Sequence, residues 1–168
     1  MATEAHGDAV DKAGLPYILH PLAVMLSLVL SGNYTEDELI VAVLHDTLED
    51  TKLTEKDISD KFGFGVLIGV QGVSRRFIHK TTGEILYHEP TPMYLDDYEK
   101  ETYTDFIKRA GRDSVSRKVK KADIFHNMSP TRMNQLPLEM RGISKRYKKG
   151  LLQLGVSEEE IALFLEGK

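Results

Sequence analysis

The chain contains no cysteine and no tryptophan, and only 8% of its 168 residues are aromatic. The lack of cysteine excludes disulfide bonds, cysteine-based zinc sites and thiol nucleophiles. Positive charge is not in excess, since the net charge is −4, and binding to a nucleic-acid backbone usually needs a basic surface. The longest apolar run, PLAVMLSLVL, is shorter than the about 20 residues that a membrane span requires. We therefore expect neither nucleic acid nor a membrane as a partner.

The residues that are present predict one helical domain. Hydrophobic residues make up 41% of the chain, which is enough for a core, and the first ten residues lack a secretory signal, so we expect a single cytoplasmic domain spanning residues 1–168. Apolar residues recur at helical spacing almost throughout, which predicts an all-α fold. The predicted helices cover residues 16–30, 36–48, 54–62, 66–73, 102–110, 114–127, 138–154 and 157–166. Residues 81–101 are predicted to be a long loop with a small hairpin around TTGE. The oligomeric state is left open by the sequence.

The segment VLHDTLED concentrates a histidine and three carboxylates at the end of a predicted helix. Residues three and four apart share a helix face, so His45, Asp46, Glu49 and Asp50 are expected to line one patch. Acidic groups at a helix C-terminus oppose the helix dipole. A solvated helix end is one interpretation, and a nearby metal ion is the other.

Two distant stretches favour the metal ion. His20 directly precedes a proline, which suits the first turn of a helix, although a half-buried histidine without a ligand is the simpler interpretation of this residue alone. Asp123 lies in a lysine-rich helix, where an ion pair with Lys120 or Lys121 is the alternative. Together, His20, His45, Asp46 and Asp123 offer two nitrogen and two oxygen ligands, a set that suits Mn, Fe or Zn. Glu49 and Asp50 are then left for metal-assisted hydrolysis, in which a carboxylate moves a proton of water.

The order His20, His45-Asp46, Asp123 resembles that of the HD-domain metal-dependent phosphohydrolases. The surrounding motifs are similar to the hydrolase domain of the RelA/SpoT family, including its small single-domain members, over residues 5–128. These motifs are AHGDAVDKAGLPYILHPLAV, AVLHDTLEDT, FGFGVLIGVQGVS and VKKADIFHNM, with a weaker similarity in KRYKKGLLQL. The resemblance implies a helical bundle that holds one Mn²⁺ and removes pyrophosphate from the 3′ position of (p)ppGpp, giving GDP or GTP.

The resemblance also implies roles for individual residues. His20, His45, Asp46 and Asp123 match the metal ligands, and Glu49 and Asp50 match the acidic pair that activates water. Positions matching substrate contacts are Lys12, Asn127 and Tyr147. Because a polyphosphate needs further cations, we add Arg75 and Arg76 as candidate phosphate contacts and expect most other basic residues to form a solvated face.

The chain departs from the family pattern at two places, and alternatives stay open. Asp11 occupies the position where many long members carry an arginine that holds guanine, and an aspartate cannot stack on a base as a guanidinium can. Ser129 and Pro130 replace the usual arginine and threonine. No counterpart of the family's synthetase half occurs in these residues, so an alarmone enzyme of this kind is expected only to degrade. The alternatives are an HD phosphohydrolase of another nucleotide, such as a phosphomonoester or NADPH, and a non-catalytic nucleotide sensor.

Overall fold

The structure is a computed structural model that describes residues 1–11 and 14–167, with Leu138 described by its backbone alone. The α-helices are α1 Ala2–His6, α2 Leu19–Leu30, α3 Glu36–Leu44, α4 Thr47–Asp50, α5 Glu55–Val73, α6 Tyr103–Ala110, α7 Ser114–Met128, α8 Pro130–Gln135, α9 Ile143–Gln153 and α10 Glu158–Leu165. Two 3-10 turns occur at Leu95–Asp97 and Leu138–Met140. The predicted helical fold is confirmed, with a small sheet added to it.

The helix α3, which leads to the acidic segment, begins at a complete capping box. The Thr35 hydroxyl accepts a hydrogen bond from the Glu38 N–H, and the Glu38 carboxylate accepts one from the Thr35 N–H. The predicted continuous helix over residues 36–48 is wrong at its end, because the chain turns at His45 and Asp46 before α4 begins. Successive side chains of a straight helix diverge by about 100°. The turn instead lets both side chains approach one point.

The helix α5 also begins at a capping box and bends in the middle. Gly63 interrupts it with a φ of 85° and a ψ of 172°, so the break expected at GFG is confirmed. Further along, α5 lies against α7 so closely that a Cβ at Gly72 would overlap the Ser116 side chain. The Ser116 hydroxyl donates a hydrogen bond across this contact to the Gly69 carbonyl. A glycine is therefore required for the packing of these two helices.

Three short strands form an antiparallel sheet in the order β2-β1-β3, where β1 is Phe77–His79, β2 is Ile85–Leu86 and β3 is Tyr98–Lys100. The hairpin expected around TTGE is confirmed, because β1 and β2 flank this turn and pair. The prediction of a loop for the rest of residues 81–101 is wrong in part, since β3 lies within it and pairs with β1. The sequence YEK of β3 has no alternation of apolar residues, so its strand depends on the partner rather than on local pattern.

The C-terminal half differs from prediction between α7 and α9. The single helix expected over residues 138–154 is wrong at its start, where a 3-10 turn precedes Gly142 and α9 begins only at Ile143. The helix α8 was not predicted. It begins with Ser129 as N-cap and Pro130 in its first turn, which is where both residue types are favoured.

The core consists of two clusters, and α7 contributes to both. Val119 packs in the first with residues of α2, α3 and α5, whereas Ile124 packs in the second with residues of α6, α9 and α10. The middle of α7, which includes Asp123, is therefore held from both sides. Within the described part of the chain, no helix is long and apolar enough to cross a bilayer.

Candidate metal centre and nucleotide cleft

Four side chains from different elements converge on one point, and we call them the His/Asp cluster: His20, His45, Asp46 and Asp123. His20 comes from the first turn of α2, His45 and Asp46 from the turn between α3 and α4, and Asp123 from α7. The Nε2 atoms of His20 and His45 lie 3.2 Å apart. The Asp46 Oδ2 atom lies 2.9 Å from the His45 Nε2 atom, and the Asp123 Oδ1 atom lies 3.1 Å from the His20 Nε2 atom. The structure thus brings together all four predicted ligands.

Hydrogen bonds orient both imidazoles. The Nδ1 atom of His45 lies 2.8 Å from the Ala42 carbonyl oxygen, so this nitrogen carries the proton and the Nε2 atom of neutral His45 keeps its lone pair. The Nδ1 atoms of His20 and His126 lie 2.8 Å apart. Both rings therefore present Nε2 to the cluster, which is the arrangement of a metal-binding histidine whose other nitrogen is hydrogen bonded.

The donor set fits a divalent cation. Atoms that share an ion at bond lengths near 2.1 Å lie about 3.0–3.5 Å apart, and ligand atoms of His20, His45 and Asp46 all lie within 4.8 Å of one another. His45 is completely buried, and neighbouring charges determine the pKa values. Burial lowers the pKa of His45, but Asp46 outweighs this and raises it to about 9. Burial raises the pKa of Asp46, but His45 outweighs this and holds it well below its usual range.

Asp123 forms the ion pair with Lys120 that the sequence offered as the alternative, and it also faces the histidines of the cluster. Its Oδ2 atom lies 2.8 Å from the Lys120 Nζ atom, whereas its Oδ1 atom faces the histidines and accepts a hydrogen bond of 2.6 Å from the Asn127 amide. Lys120 is only 9% exposed, so the expectation of a solvated basic face is wrong for this residue. Burial lowers the pKa of Lys120, but Asp123 and the other carboxylates outweigh this, so the ammonium stays charged beside the cluster.

The acidic pair lies on α4 beside the cluster. The Glu49 Oε1 atom accepts a hydrogen bond of 2.8 Å from the Arg75 N–H, and burial raises the pKa of Glu49 to about 7 although nearby Lys120 lowers it. Burial and the charge of Asp46 raise the pKa of Asp50. A carboxylate whose pKa lies near neutrality is suited to accept a proton.

Tyr17 belongs to the site and was missed by sequence reasoning. Its hydroxyl donates a hydrogen bond of 2.5 Å to the Asp46 Oδ2 atom and lies 3.3 Å from the Asp50 Oδ2 atom. Burial and the charge of Asp46 raise the pKa of Tyr17, so the hydroxyl keeps its proton. The available signal was the position of Tyr17 in PYILHP, three residues before His20.

Two adjoining cavities open over the cluster. The first, which we call the metal chamber, has a volume of about 240 Å³, and the second, the outer chamber, about 350 Å³. Residues lining both are Tyr17, Asn127, Arg132 and Tyr147. The metal chamber is further lined by Arg75, Lys120 and Arg146, among others. The outer chamber adds the apolar residues Val10, Leu136 and Ile143 together with Asp11 and Gln135.

Some of the remaining predicted substrate contacts line the chambers and others do not. Asn127 and Tyr147 lie where the two chambers meet, and Arg75 lines the metal chamber. The guanidinium of Arg76 lies beside Tyr87 instead and is not among the residues that line either chamber. Lys12 lies outside the described residues. Arg132 and Arg146, which had no assigned role, reach the chambers from α8 and α9.

The chain is similar to known proteins in sequence and in fold. Residues 1–82 match the family model described as HD domain. A protein of Aquifex aeolicus named guanosine-3′,5′-bis(diphosphate) 3′-pyrophosphohydrolase is 46% identical over 75 residues, which are 45% of this chain and 11% of that protein. A Danio rerio protein named guanosine-3′,5′-bis(diphosphate) 3′-pyrophosphohydrolase MESH1 is 45% identical over 65 residues, which are 38% of this chain and 36% of that protein. The chain thus matches about a tenth of the first relative and about a third of the second.

A solved structure supports the fold over the whole chain. It is described as "A metazoan ortholog of SpoT hydrolyzes ppGpp and plays a role in starvation responses", and it superposes with a TM-score of 0.70 at 22% identity. The superposition covers 99% of this chain and 88% of that chain. Residues 1–82 therefore match an HD domain, and the chain shares the fold of that SpoT ortholog.

Proposed function

We propose that the chain is a metal-dependent phosphohydrolase that removes the 3′-pyrophosphate from (p)ppGpp and yields GDP or GTP. The observation that carries this proposal is the position of Glu49, whose carboxylate has a pKa near neutrality and borders the same chamber as the His/Asp cluster. A protein that only bound a nucleotide would not need this acidic group. The names of the relatives support the same substrate.

His20, His45, Asp46 and Asp123 would hold the metal ion. Its identity is proposed as Mn²⁺, and the two-nitrogen, two-oxygen set also suits Fe or Zn. A divalent cation bound there supplies Lewis acidity toward phosphate oxygens and lowers the pKa of water. The hydrogen bonds that His45 and His20 donate to the Ala42 carbonyl and to His126 keep both imidazoles in the orientation that binding needs.

Glu49 is proposed to take the proton from the attacking water. Water adds to the phosphorus next to the ribose, the bond from that phosphorus to the 3′ oxygen breaks, and the 3′ oxygen leaves as a hydroxyl after gaining a proton. Asp50, the neighbouring carboxylate on α4, is the second candidate, and the Tyr17 hydroxyl hydrogen bonds to it. The Arg75 N–H fixes one oxygen of Glu49, which leaves the other for water.

Cations around the metal chamber suit a substrate with several phosphate groups. Arg75 and Lys120 line this chamber together with Glu49. The Arg146 guanidinium lies over the Tyr103 ring at 4.8 Å, which holds it above the chamber. Such fixed cations stabilise phosphate charge through charge-assisted hydrogen bonds. The apolar walls of the outer chamber then suit the nucleoside.

The test is release of pyrophosphate from ppGpp by the protein supplied with Mn²⁺. NADPH and nucleoside monophosphates are offered in parallel. We expect turnover of ppGpp, little product from the others, and loss of turnover with chelator. The variant Glu49→Gln should lose most of this turnover. Glu99→Gln, which changes an exposed carboxylate on β3, is its control and should keep it. If only NADPH or a nucleoside monophosphate is turned over, that compound and not (p)ppGpp is the substrate. Tight nucleotide binding without any product would favour a non-catalytic sensor.

A further inference from the structure

One arginine of α6, Arg109, bonds to the end of the neighbouring helix α5. Its Nη1 atom donates to the Gln71 carbonyl at 2.8 Å and to the Gly72 carbonyl at 3.3 Å. Its Nη2 atom donates to the Ser74 carbonyl at 2.7 Å. Carbonyl groups at a helix C-terminus lack partners within the helix and favour a cation. Arg109 therefore fixes the last turn of α5 and the residue that follows it.

The remaining N–H groups of this guanidinium bind Glu101, which lies between β3 and α6. The Arg109 Nε atom donates to the Glu101 Oε1 atom at 2.9 Å, and the Nη2 atom donates to the Oε2 atom at 2.7 Å. The five hydrogen bonds of Arg109 equal the number of its N–H groups. The two side chains are only 15% and 9% exposed. A bidentate pair of this kind has one defined geometry, so each side chain fixes the other.

Glu101 in turn holds the next two residues after α5, which are Arg75 and Arg76. Its backbone carbonyl accepts a hydrogen bond of 2.7 Å from the Arg75 Nε atom. Its N–H donates one of 2.8 Å to the Arg76 carbonyl, and its Oε2 atom accepts one of 3.3 Å from the Arg76 N–H. Residues 74–76 link α5 to β1, and we call them the 74–76 segment. Each of its residues is thus bonded to Arg109 or Glu101.

The same segment contacts the acidic pair of the site. The Arg75 N–H donates the 2.8 Å hydrogen bond that fixes the Glu49 Oε1 atom, and Arg75 also lines the metal chamber. We propose that Arg109 and Glu101 are positioning residues for the hydrolysis, an inference that rests on the proposed function and deepens it. Neither is among the described residues that line the two chambers. They act through the 74–76 segment, which holds Glu49 in the orientation that leaves its second oxygen for water.

The first test is a double-mutant cycle on pyrophosphate release from ppGpp by the full chain supplied with Mn²⁺. Arg109→Lys keeps the positive charge, but an ammonium cannot form the bidentate pair and reach the helix carbonyls together. We expect it to lower kcat about 10- to 100-fold, the loss typical of a catalytic group displaced by about 1 Å. In the Glu49→Gln background it should lower kcat less than about 3-fold, because the group to be positioned is already lost.

The matched control breaks another partly buried ion pair. The Lys118 Nζ atom lies 2.8 Å from the Glu38 Oε2 atom, in a pair that joins α7 to α3. Lys118→Met should lower the thermal stability and keep kcat. A loss of kcat in Lys118→Met as large as that in Arg109→Lys would overturn the proposal, because any weakening of the fold would then have the same effect.

The second test measures the position of the Arg75 N–H without turnover. Amide hydrogen exchange at Arg75 is followed by mass spectrometry of the full chain supplied with Mn²⁺. Exchange reports the local opening of a hydrogen bond, so we expect it to be about 10-fold faster in Arg109→Lys than in wild type. A general loss of stability would speed exchange in Lys118→Met as well, whereas loss of positioning would not.

The outcomes separate this inference from the proposed function. An unchanged kcat in Arg109→Lys, or an equal fold-loss in the Glu49→Gln background, overturns the positioning. If Arg109→Lys does not fold, Glu101→Gln takes its place under the same criteria, since it removes the charge of the pair and keeps the backbone contacts. No turnover of ppGpp by wild type refutes the proposed function. Amide exchange then decides the positioning alone, because faster exchange in the variant supports it and unchanged exchange overturns it.

Discussion

The Nδ1 atoms of His20 and His126 lie 2.8 Å apart, and the two rings stack at a centroid distance of 5.0 Å. Only one of the two nitrogens carries the shared proton. Since His20 needs a free lone pair on Nε2 to bind a metal, its Nδ1 must donate and His126 must accept. Burial lowers the pKa of His126 to about 4, which keeps it neutral and able to accept.

Replacing His126 should therefore weaken metal binding without removing a ligand. We expect His126→Ala to lower the affinity for Mn²⁺ by about 10- to 100-fold, as is typical when the partner of a ligating histidine is lost. Calorimetric titration with Mn²⁺ measures this change. His88→Ala, an exposed histidine, is the control. An unchanged affinity in His126→Ala would show that the contact does not orient His20.

Replacing a metal ligand and replacing the proton acceptor should affect metal binding and turnover differently. Asp46→Ala should lose metal binding and turnover together. Glu49→Gln should bind Mn²⁺ normally and lose about 10²- to 10⁴-fold in turnover, the usual contribution of a general base. Metal content after gel filtration and the rate of pyrophosphate release are the two measurements. A normal rate in Glu49→Gln would assign the proton transfer elsewhere, with Asp50 the next candidate.

The raised pKa of Glu49 predicts how the stability of the metal-free protein depends on pH. Burial raises this pKa to about 7, with Asp46 and Asp50 adding to the effect and Lys120 opposing it, so the folded state keeps a proton that the unfolded state releases near pH 4.3. The contribution of protonated Glu49 to the unfolding free energy is complete below the pKa of the unfolded state, and it is lost as the pH rises through 7.

Glu49→Gln cannot lose this proton. In the presence of chelator, we expect it to exceed wild type in unfolding free energy by about 1–2 kcal/mol at pH 8 and to differ little at pH 4.5. Urea unfolding at the two pH values measures both differences. An equal difference in unfolding free energy at both pH values would mean that ionisation of Glu49 does not cause the difference.

The contact between Gly72 and Ser116 predicts an effect on stability away from the site. Because a methyl group at Gly72 would overlap Ser116, α5 and α7 would have to separate. We expect Gly72→Ala to lower the unfolding free energy by about 1–3 kcal/mol, the usual cost of overpacking. Gly142→Ala is the control, since a Cβ there meets no atom within 4 Å. Equal stability of the two variants in thermal unfolding would contradict the close packing.

The sequence by itself determined the helical fold, several helix starts and the identity of the four candidate ligands. These features are local or depend on residue type. The capping pairs Thr35 with Glu38 and Thr54 with Asp57 satisfy backbone groups within four residues, and His and Asp are chemically suited to a metal wherever they meet. The metal-ligand roles of the His/Asp cluster stay predictions, as do the roles of Glu49, Asp50 and the substrate contacts. The single-domain organisation, the cytoplasmic location and the lack of a nucleic-acid partner also stay predictions.

Only the tertiary structure decided how these residues meet and which others join them. Helical periodicity predicted one continuous helix over residues 36–48, but the chain turns at His45 and Asp46 before α4 begins, and side chains from three parts of the fold meet in the cluster. Arg132 reaches the site from α8, where no local pattern indicates such a contact, whereas Tyr17 and Lys120 lie close in sequence to His20 and Asp123. Asp11 gained a partner for the same reason. The fold brings Arg132 of α8 to its side.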